Sequence, residues 1–304
     1  MKAKFLIILL SVILLLSGCA ARPVQEKTGL SVVASFYPVW VMAANVTEGV
    51  EGVELTLLTQ EDTGCLHNYQ LLPQDMKTLD GADVLLLNGA GMEGFIEDAA
   101  ASFSELTMVN TSDGLALIVS EEHNHTHGHE HEHDLSVNPH VWLDVDNAIA
   151  QTKAIADALK AALPEQAEKI EKNAETYIAR LESLKAEMTE ILAPVQGAQL
   201  VTSHDAFAYF ASAFDLQIAA VIQQDEETDP SAAHIGEICD LMAKNGIPAV
   251  FVQPDTASSA PKTIAQEVGA ELVILDPVTG GTLDAKSYET AQLANAKAIA
   301  EVLR

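Results

Sequence analysis

The sequence predicts an α/β protein of two β/α lobes with mainly parallel sheets, joined by one long rigid helix. Three observations predict this class. Short apolar runs alternate with amphipathic stretches along the chain. One stretch near the middle keeps a single apolar stripe over many helical turns. The alternation seen before that stretch is repeated after it.

Residues 1–18 read as a leader. Lys2 and Lys4 precede an apolar run over 5–16 that only Ser11 interrupts. A twelve-residue helix rises about 18 Å, short of the ~30 Å hydrocarbon core, so the run suits a secretory signal better than a span. It ends in Leu16-Ser17-Gly18-Cys19, similar to the bacterial lipoprotein box, in which the cysteine is lipidated and becomes the mature N-terminus. Cys19 is the expected lipidation site, residues 19–30 a polar tether, and the location extracytoplasmic, anchored by lipid at the cell surface or in the periplasm.

The N-terminal lobe is expected over 31–163. SVVAS (31–35), VELTLLT (53–59), ADVLLLNG (82–89) and ELTMVNTS (105–112) read as strands, the third apolar enough to be buried on both faces. Helices are expected over 39–49, 73–79 and 91–103. The segment 121–134, EEHNHTHGHEHEHD, carries His123, His125, His127, His129, His131 and His133 and no apolar residue, so it predicts a loop. NPHVWLDVDN (138–147) then leads into a helical stretch ending at Leu163.

Residues 164–193 form the expected linking helix, with Pro164 in its first turn. Ile170, Ala174, Tyr177, Leu181, Leu184, Met188 and Ile191 recur at spacings of 4,3,4,3,4,3, which is one face of a helix. About 28 residues give ~42 Å. The C-terminal lobe, 194–304, repeats the alternation, with strands AQLVTS (198–203), LQIAAVI (216–222), PAVFVQP (248–254) and AELVILDP (270–277). Helices near 205–214, 231–245 and 258–269 separate them.

The formal charge is −28, and −30 once Lys2 and Lys4 leave with the leader. Such a surface repels nucleic acid and anionic lipid and attracts cations. Cys65 and Cys239 remain beside Cys19, an even pair able to form a disulfide in an oxidising compartment.

Four of the ten histidines lie outside the loop. His67 follows VELTLLT through a short Gly-containing loop, and His204 and Asp276 stand at the carboxyl ends of predicted strands. In open parallel sheets ligands bind beyond those ends. His140 precedes a helix in a Pro-containing segment. Three imidazoles and one carboxylate make a four-coordinate set suited to Zn²⁺. His234, inside a predicted helix, reads as a surface histidine.

The segments SFYPVW (35–40), CLHNYQLLPQDMKTLDGADVLLLNG (65–89), NPHVWLDV (138–145), HDAFAYF (204–210) and LDP (275–277) occur in this order behind the lipobox. Over 30–304 the chain resembles the metal-binding lipoproteins of bacterial ABC importers for zinc and manganese, most closely the zinc-uptake members. That resemblance implies two lobes, a rigid linking helix and a metal site in the cleft between them, with His67, His140, His204 and Asp276 as ligands. It implies delivery of Zn²⁺ to an ABC permease with its ATPase, a membrane-anchored monomer, no nucleic-acid partner and no catalysis. Cys65-Leu66, Gln253 and Val145 depart from frequent family residues without removing a ligand. Imidazole donors favour zinc over manganese, which prefers oxygen. The loop histidines form an auxiliary site. The alternatives are a manganese- or iron-specific protein of the same type and a zinc-storage or adhesin lipoprotein. A zinc hydrolase is disfavoured by a fourth protein ligand and by the absence of HExxH, GxSxG and P-loop motifs.

Overall fold

The structure, a computed structural model, describes residues 29–60, 66, 69–100, 102–119, 137–223, 229–254 and 258–304. The predicted leader, Cys19, Cys65, His67 and the six loop histidines lie outside the described residues.

The first lobe contains β1 (Leu30–Ala34), α1 (Tyr37–Val46), β2 (Val53–Leu57), α2 (Pro73–Asp80), β3 (Val84–Leu87), α3 (Gly94–Ala100) and β4 (Thr107–Asn110). Its sheet runs β2-β1-β3-β4, every pair parallel. Successive strand side chains point to opposite faces, and here each face has its own core. Val32, Ala34, Val84 and Leu86 enter one apolar cluster, while Val33 and Leu85 enter another with Leu79 and Ile96. Helices on both faces explain the unbroken apolar run of β3.

Two helices follow, α4 (Val145–Ala162) and α5 (Ala167–Leu192). Asp144 caps α4 by accepting the Asp146 N–H at 2.8 Å. Helix α5 has 26 residues, a rise of about 39 Å at 1.5 Å per residue. Its buried stripe is Ile170, Ala174, Tyr177, Leu181, Leu184, Met188 and Leu192. The last place belongs to Leu192, where the sequence pattern pointed to Ile191.

The second lobe contains β5 (Gln199–Thr202), α6 (Ala208–Ala213), β6 (Gln217–Val221), α7 (Ala232–Asn245), β7 (Ala249–Val252), α8 (Ala260–Val268) and β8 (Glu271–Ile274). The strand order β6-β5-β7-β8 repeats that of the first lobe, again all parallel. In both sheets the chain reverses direction of travel between its first and third strands. The switch points therefore lie beyond Ala34 in one lobe and beyond Thr202 in the other.

Helix α9 (Ser287–Leu303), which lies beyond the predicted elements, carries the chain back onto the first lobe. Tyr288 Oη donates to the Trp142 carbonyl at 2.7 Å, and Gln292 Nε2 donates to the Leu143 carbonyl at 3.1 Å. Ahead of the helix, the Thr282 carbonyl accepts from Tyr37 Oη at 2.6 Å and the Ala285 carbonyl from Asn45 Nδ2 at 2.7 Å. Arg180 of α5 pairs with Glu289 at 3.0 Å and donates to Asn45 Oδ1, tying α1, α5 and α9 together. One apolar cluster runs through both lobes, from Val32 to Phe251 and Ile299. The linking helix is thus one of several elements that hold the lobes.

The disulfide allowed by the even cysteine count would involve Cys65, which lies outside the described residues; Cys239 is partly buried. Cys239 is a residue of α7 and packs against the separate cluster of Val201, Ile238 and Val250. Leu66 is buried in the cluster shared by the two lobes. Partial burial, followed by the charges of Glu267 and Asp240, pushes the Cys239 thiol pKa up. No helix among the described residues is long and apolar enough to cross a membrane.

Candidate metal centre

His204 lies two residues beyond β5, at the switch point of the second sheet, and is 5% exposed. His140 lies in the segment leading into α4 and is 2% exposed. The two rings meet edge to face, with centroids 5.1 Å apart. One comes from the chain of the first lobe and the other from the second, so the pair straddles the boundary between them. Charged imidazolium rings at this separation would repel, and two neutral rings present lone pairs suited to a shared cation.

The His140 ring is held on two sides. Its Nδ1 lies 2.9 Å from Asn138 Oδ1, which also accepts the His140 backbone N–H at 3.0 Å. The Trp142 ring packs 5.3 Å away on centroids. Below that segment lies a buried polar network. Asn88 Nδ2 donates to the Pro139 carbonyl at 2.9 Å, and Gln151 Nε2 donates to Asn88 Oδ1 at 3.0 Å and Thr111 Oγ1 at 2.9 Å. Main-chain placement of His140 thus depends on the residues just after β3 and β4 and on α4.

Asp276 follows β8 and is clamped through its main chain. Its N–H donates to Asn295 Oδ1 and its carbonyl accepts from Asn295 Nδ2, both at 2.8 Å. The carboxylate Oδ1 accepts the Val278 N–H at 2.7 Å. Val278 itself has φ of +60°, which a β-branched residue adopts only under constraint from its surroundings. Burial raises the Asp276 carboxyl pKa, opposed by the Val278 hydrogen bond. A bound cation would reverse that rise.

Of the four residues picked out in the sequence, the structure brings His140 and His204 together. His67 lies outside the described residues. Among the described residues, no group of three or more His, Cys, Asp or Glu side chains is gathered closely enough to hold a metal ion. His234 sits apart in the first turn of α7, with Nε2 3.2 Å from the Val221 carbonyl. An open groove of about 760 Å³ runs elsewhere, along β2 between Trp40, Leu57 and Leu283.

Glu93 escaped the sequence reading, because a lone glutamate ahead of a helix carries no signal. Its Oε1 accepts from Ser35 Oγ at 2.7 Å and from the Asn88 N–H at 2.6 Å, and its Oε2 from the Gly89 N–H at 3.0 Å. The carboxylate therefore fills the switch point of the first sheet, the counterpart of the His204 position in the second. Gly89 has φ of +83°, a conformation that L side chains rarely adopt, and a Cβ there would also displace the Asn110 side chain, whose Oδ1 would lie 1.8 Å away. Burial pushes the Glu93 pKa from 4.5 up to about 7, against the opposing hydrogen bonds. Between these values the folded chain keeps a proton that the unfolded chain has released, so stability falls as pH rises through that window. The loss amounts to roughly 3 kcal/mol at 1.36 kcal/mol per pKa unit. Urea unfolding at several pH values should show this slope in the parent and a flatter one in Glu93→Gln. Equal slopes would remove Glu93 as its source.

Comparison with known proteins agrees with the architecture. The zinc-binding protein AdcA of Streptococcus pyogenes serotype M6 is 29% identical over 299 residues, covering 93% of this chain and 57% of that protein. The chain thus spans little more than half the length of these streptococcal relatives. The high-affinity zinc uptake system protein ZnuA of Bacillus subtilis (strain 168) is 28% identical over 255 residues, covering 83% of this chain and 79% of that protein. The Zn(II)-bound ZnuA-like domain of Streptococcus pneumoniae AdcA superposes with a TM-score of 0.75 at 25% identity, covering 90% of this chain and 99% of that one. A family model described as zinc-uptake complex component A, periplasmic (ZnuA), matches residues 32–302, and the chain belongs to that family.

Proposed function

We propose that this protein binds Zn²⁺ outside the cytoplasm and passes it to an ABC permease with its ATPase. The observation that carries the reading is the His140–His204 pair, two buried imidazoles contributed by different lobes and meeting at a sheet switch point. His67 and Asp276 complete the ligand set, giving three nitrogens and one oxygen. That set suits Zn²⁺ better than Mn²⁺, and as a closed four-coordinate shell it holds the ion without activating water. The family and the zinc-binding relatives support the same cargo. Cys19 anchors the chain by lipid, the protein acts as a monomer, and the six histidines of 123–133 collect zinc near the cleft.

Zinc and manganese titrations of the purified protein, with thermal unfolding, test this reading. One tight Zn²⁺ per chain is expected, with weaker Mn²⁺ binding. At a free zinc concentration of ~1,000 times Kd, a ligand confined to the native state adds about 4 kcal/mol, a rise of several degrees in Tm. Deleting residues 123–133 should leave that single site in place, because a loop must lose roughly 1–2 kcal/mol of entropy for each residue it orders. If the deletion destroys the tightest site, the loop is the binding centre and the zinc-storage reading replaces this one.

A further inference from the structure

We infer that Asn138 is the positioning residue of this site, selecting the nitrogen through which His140 binds metal and holding the His204 side of the other lobe against it. The inference rests on the proposed role of His140 and His204 as ligands. Asn138 is 1% exposed, and all of its polar groups are engaged. Oδ1 accepts from the His140 backbone N–H at 3.0 Å and lies 2.9 Å from His140 Nδ1. Nδ2 donates to the carbonyl of Asp205, the residue after His204, at 2.6 Å. The backbone N–H donates to the Ile118 carbonyl at 2.8 Å, and the carbonyl accepts from Tyr209 Oη at 2.9 Å.

These bonds orient the carboxamide. Were it turned over, Nδ2 would face the His140 N–H donor to donor and Oδ1 would face the Asp205 carbonyl acceptor to acceptor. Because Oδ1 can only accept, the proton on the His140 ring sits on Nδ1, and the lone pair is on Nε2. A hydrogen bond to the distal ring nitrogen fixes tautomer and ring orientation in metal-binding histidines, and here it comes from a neutral amide. The same amide reaches across the lobe boundary. Ile118 and His140 belong to the first-lobe chain, whereas Asp205 and Tyr209 belong to the second. The 5.1 Å spacing of the two rings is therefore supported by Asn138 from both sides of the lobe boundary.

The two functions can be separated by substitution. Asn138→Asp keeps an acceptor for both His140 donors and loses the donor to Asp205. Asn138→Ala loses both. Tyr209→Phe removes a bond to the Asn138 main chain and leaves the carboxamide in place. Nitrogen-15 NMR of the metal-free protein, at a pH where the imidazole is neutral, reads the His140 tautomer directly. The parent, Asn138→Asp and Tyr209→Phe should show the proton on Nδ1. Asn138→Ala should lose that single tautomer and bind zinc roughly 10- to 100-fold more weakly, the effect typical of lost outer-shell partners. A purely structural residue would lower Tm without changing the tautomer. An Nε2 proton in the parent, an unchanged tautomer in Asn138→Ala, or zinc affinity within about twofold of the parent would each overturn the assignment. His140→Ala serves as the separate check on the ligand set: unaltered zinc binding there removes His140 as a ligand, whereas the tautomer result stands apart from it.

Discussion

Replacing His204 by alanine is expected to weaken zinc binding by two to three orders of magnitude in a chain that remains folded. Structural zinc sites bind with roughly 10–16 kcal/mol at neutral pH, so one ligand of four carries about 2.5–4 kcal/mol, or roughly 10²- to 10³-fold in Kd. The loss should not be recovered locally. His204 is 5% exposed and its ring faces His140, so its loss opens a gap in a buried pair. The fold should survive, because the switch-point backbone is secured by other bonds. Ser203 N–H donates to the Phe251 carbonyl at 2.8 Å, and Gln223 N–H to the Ser203 carbonyl at 3.0 Å. Competition with a chromophoric chelator gives the affinity and circular dichroism the fold. His67→Ala and Asp276→Ala should show losses of similar size. Should His204→Ala bind zinc within about tenfold of the parent, the paired rings are not the centre.

The sheets were legible because their strands are short apolar runs between turn residues, and because each lobe repeats one order of elements. The linking helix was legible from its stripe, up to a point. A straight helix drifts ~20° per heptad against a 3.5-residue repeat, and after three heptads the buried seam has moved on by one residue, from Ile191 to Leu192. Helix α9 was hidden for a different reason. Its buried face is Tyr288, Ala291, Gln292, Asn295, Ala296, Ile299 and Ala300, so small and amide side chains occupy places where an apolar pattern would be sought. Those amides are buried because they hydrogen-bond to the Leu143 and Asp276 backbone. Such partners are 149 and 19 residues away in the chain. At the site, histidine and carboxylate betray themselves by residue type, and strand ends locate them. Asn138 and Glu93 act through hydrogen bonds to main-chain groups of other segments, which leave no periodicity behind.

Trp142→Ala should cost the metal-free protein about 4 kcal/mol, within the ~3–5 kcal/mol typical of truncating a buried aromatic side chain. Trp142 is fully buried and stacks edge to face on Phe36 at 5.1 Å. Its Nε1–H donates to the Pro277 carbonyl at 2.8 Å, one residue beyond Asp276. The indole therefore joins the first-lobe core to the turn that carries a proposed ligand from the second lobe. Trp142→Phe isolates that link. It keeps most of the packing against Phe36 but leaves the Pro277 carbonyl without its donor, a penalty of ~1–3 kcal/mol for a buried unpaired group. Zinc affinity should fall in Trp142→Phe as well, since Asp276 would lose part of the support that holds its turn against the first lobe. Urea unfolding without metal, followed by zinc titration of the same variants, separates the two effects. A stability loss below about 1 kcal/mol in Trp142→Ala would show that the lobes do not depend on this side chain. Unchanged zinc affinity in Trp142→Phe would show that the turn at Asp276 is held without it.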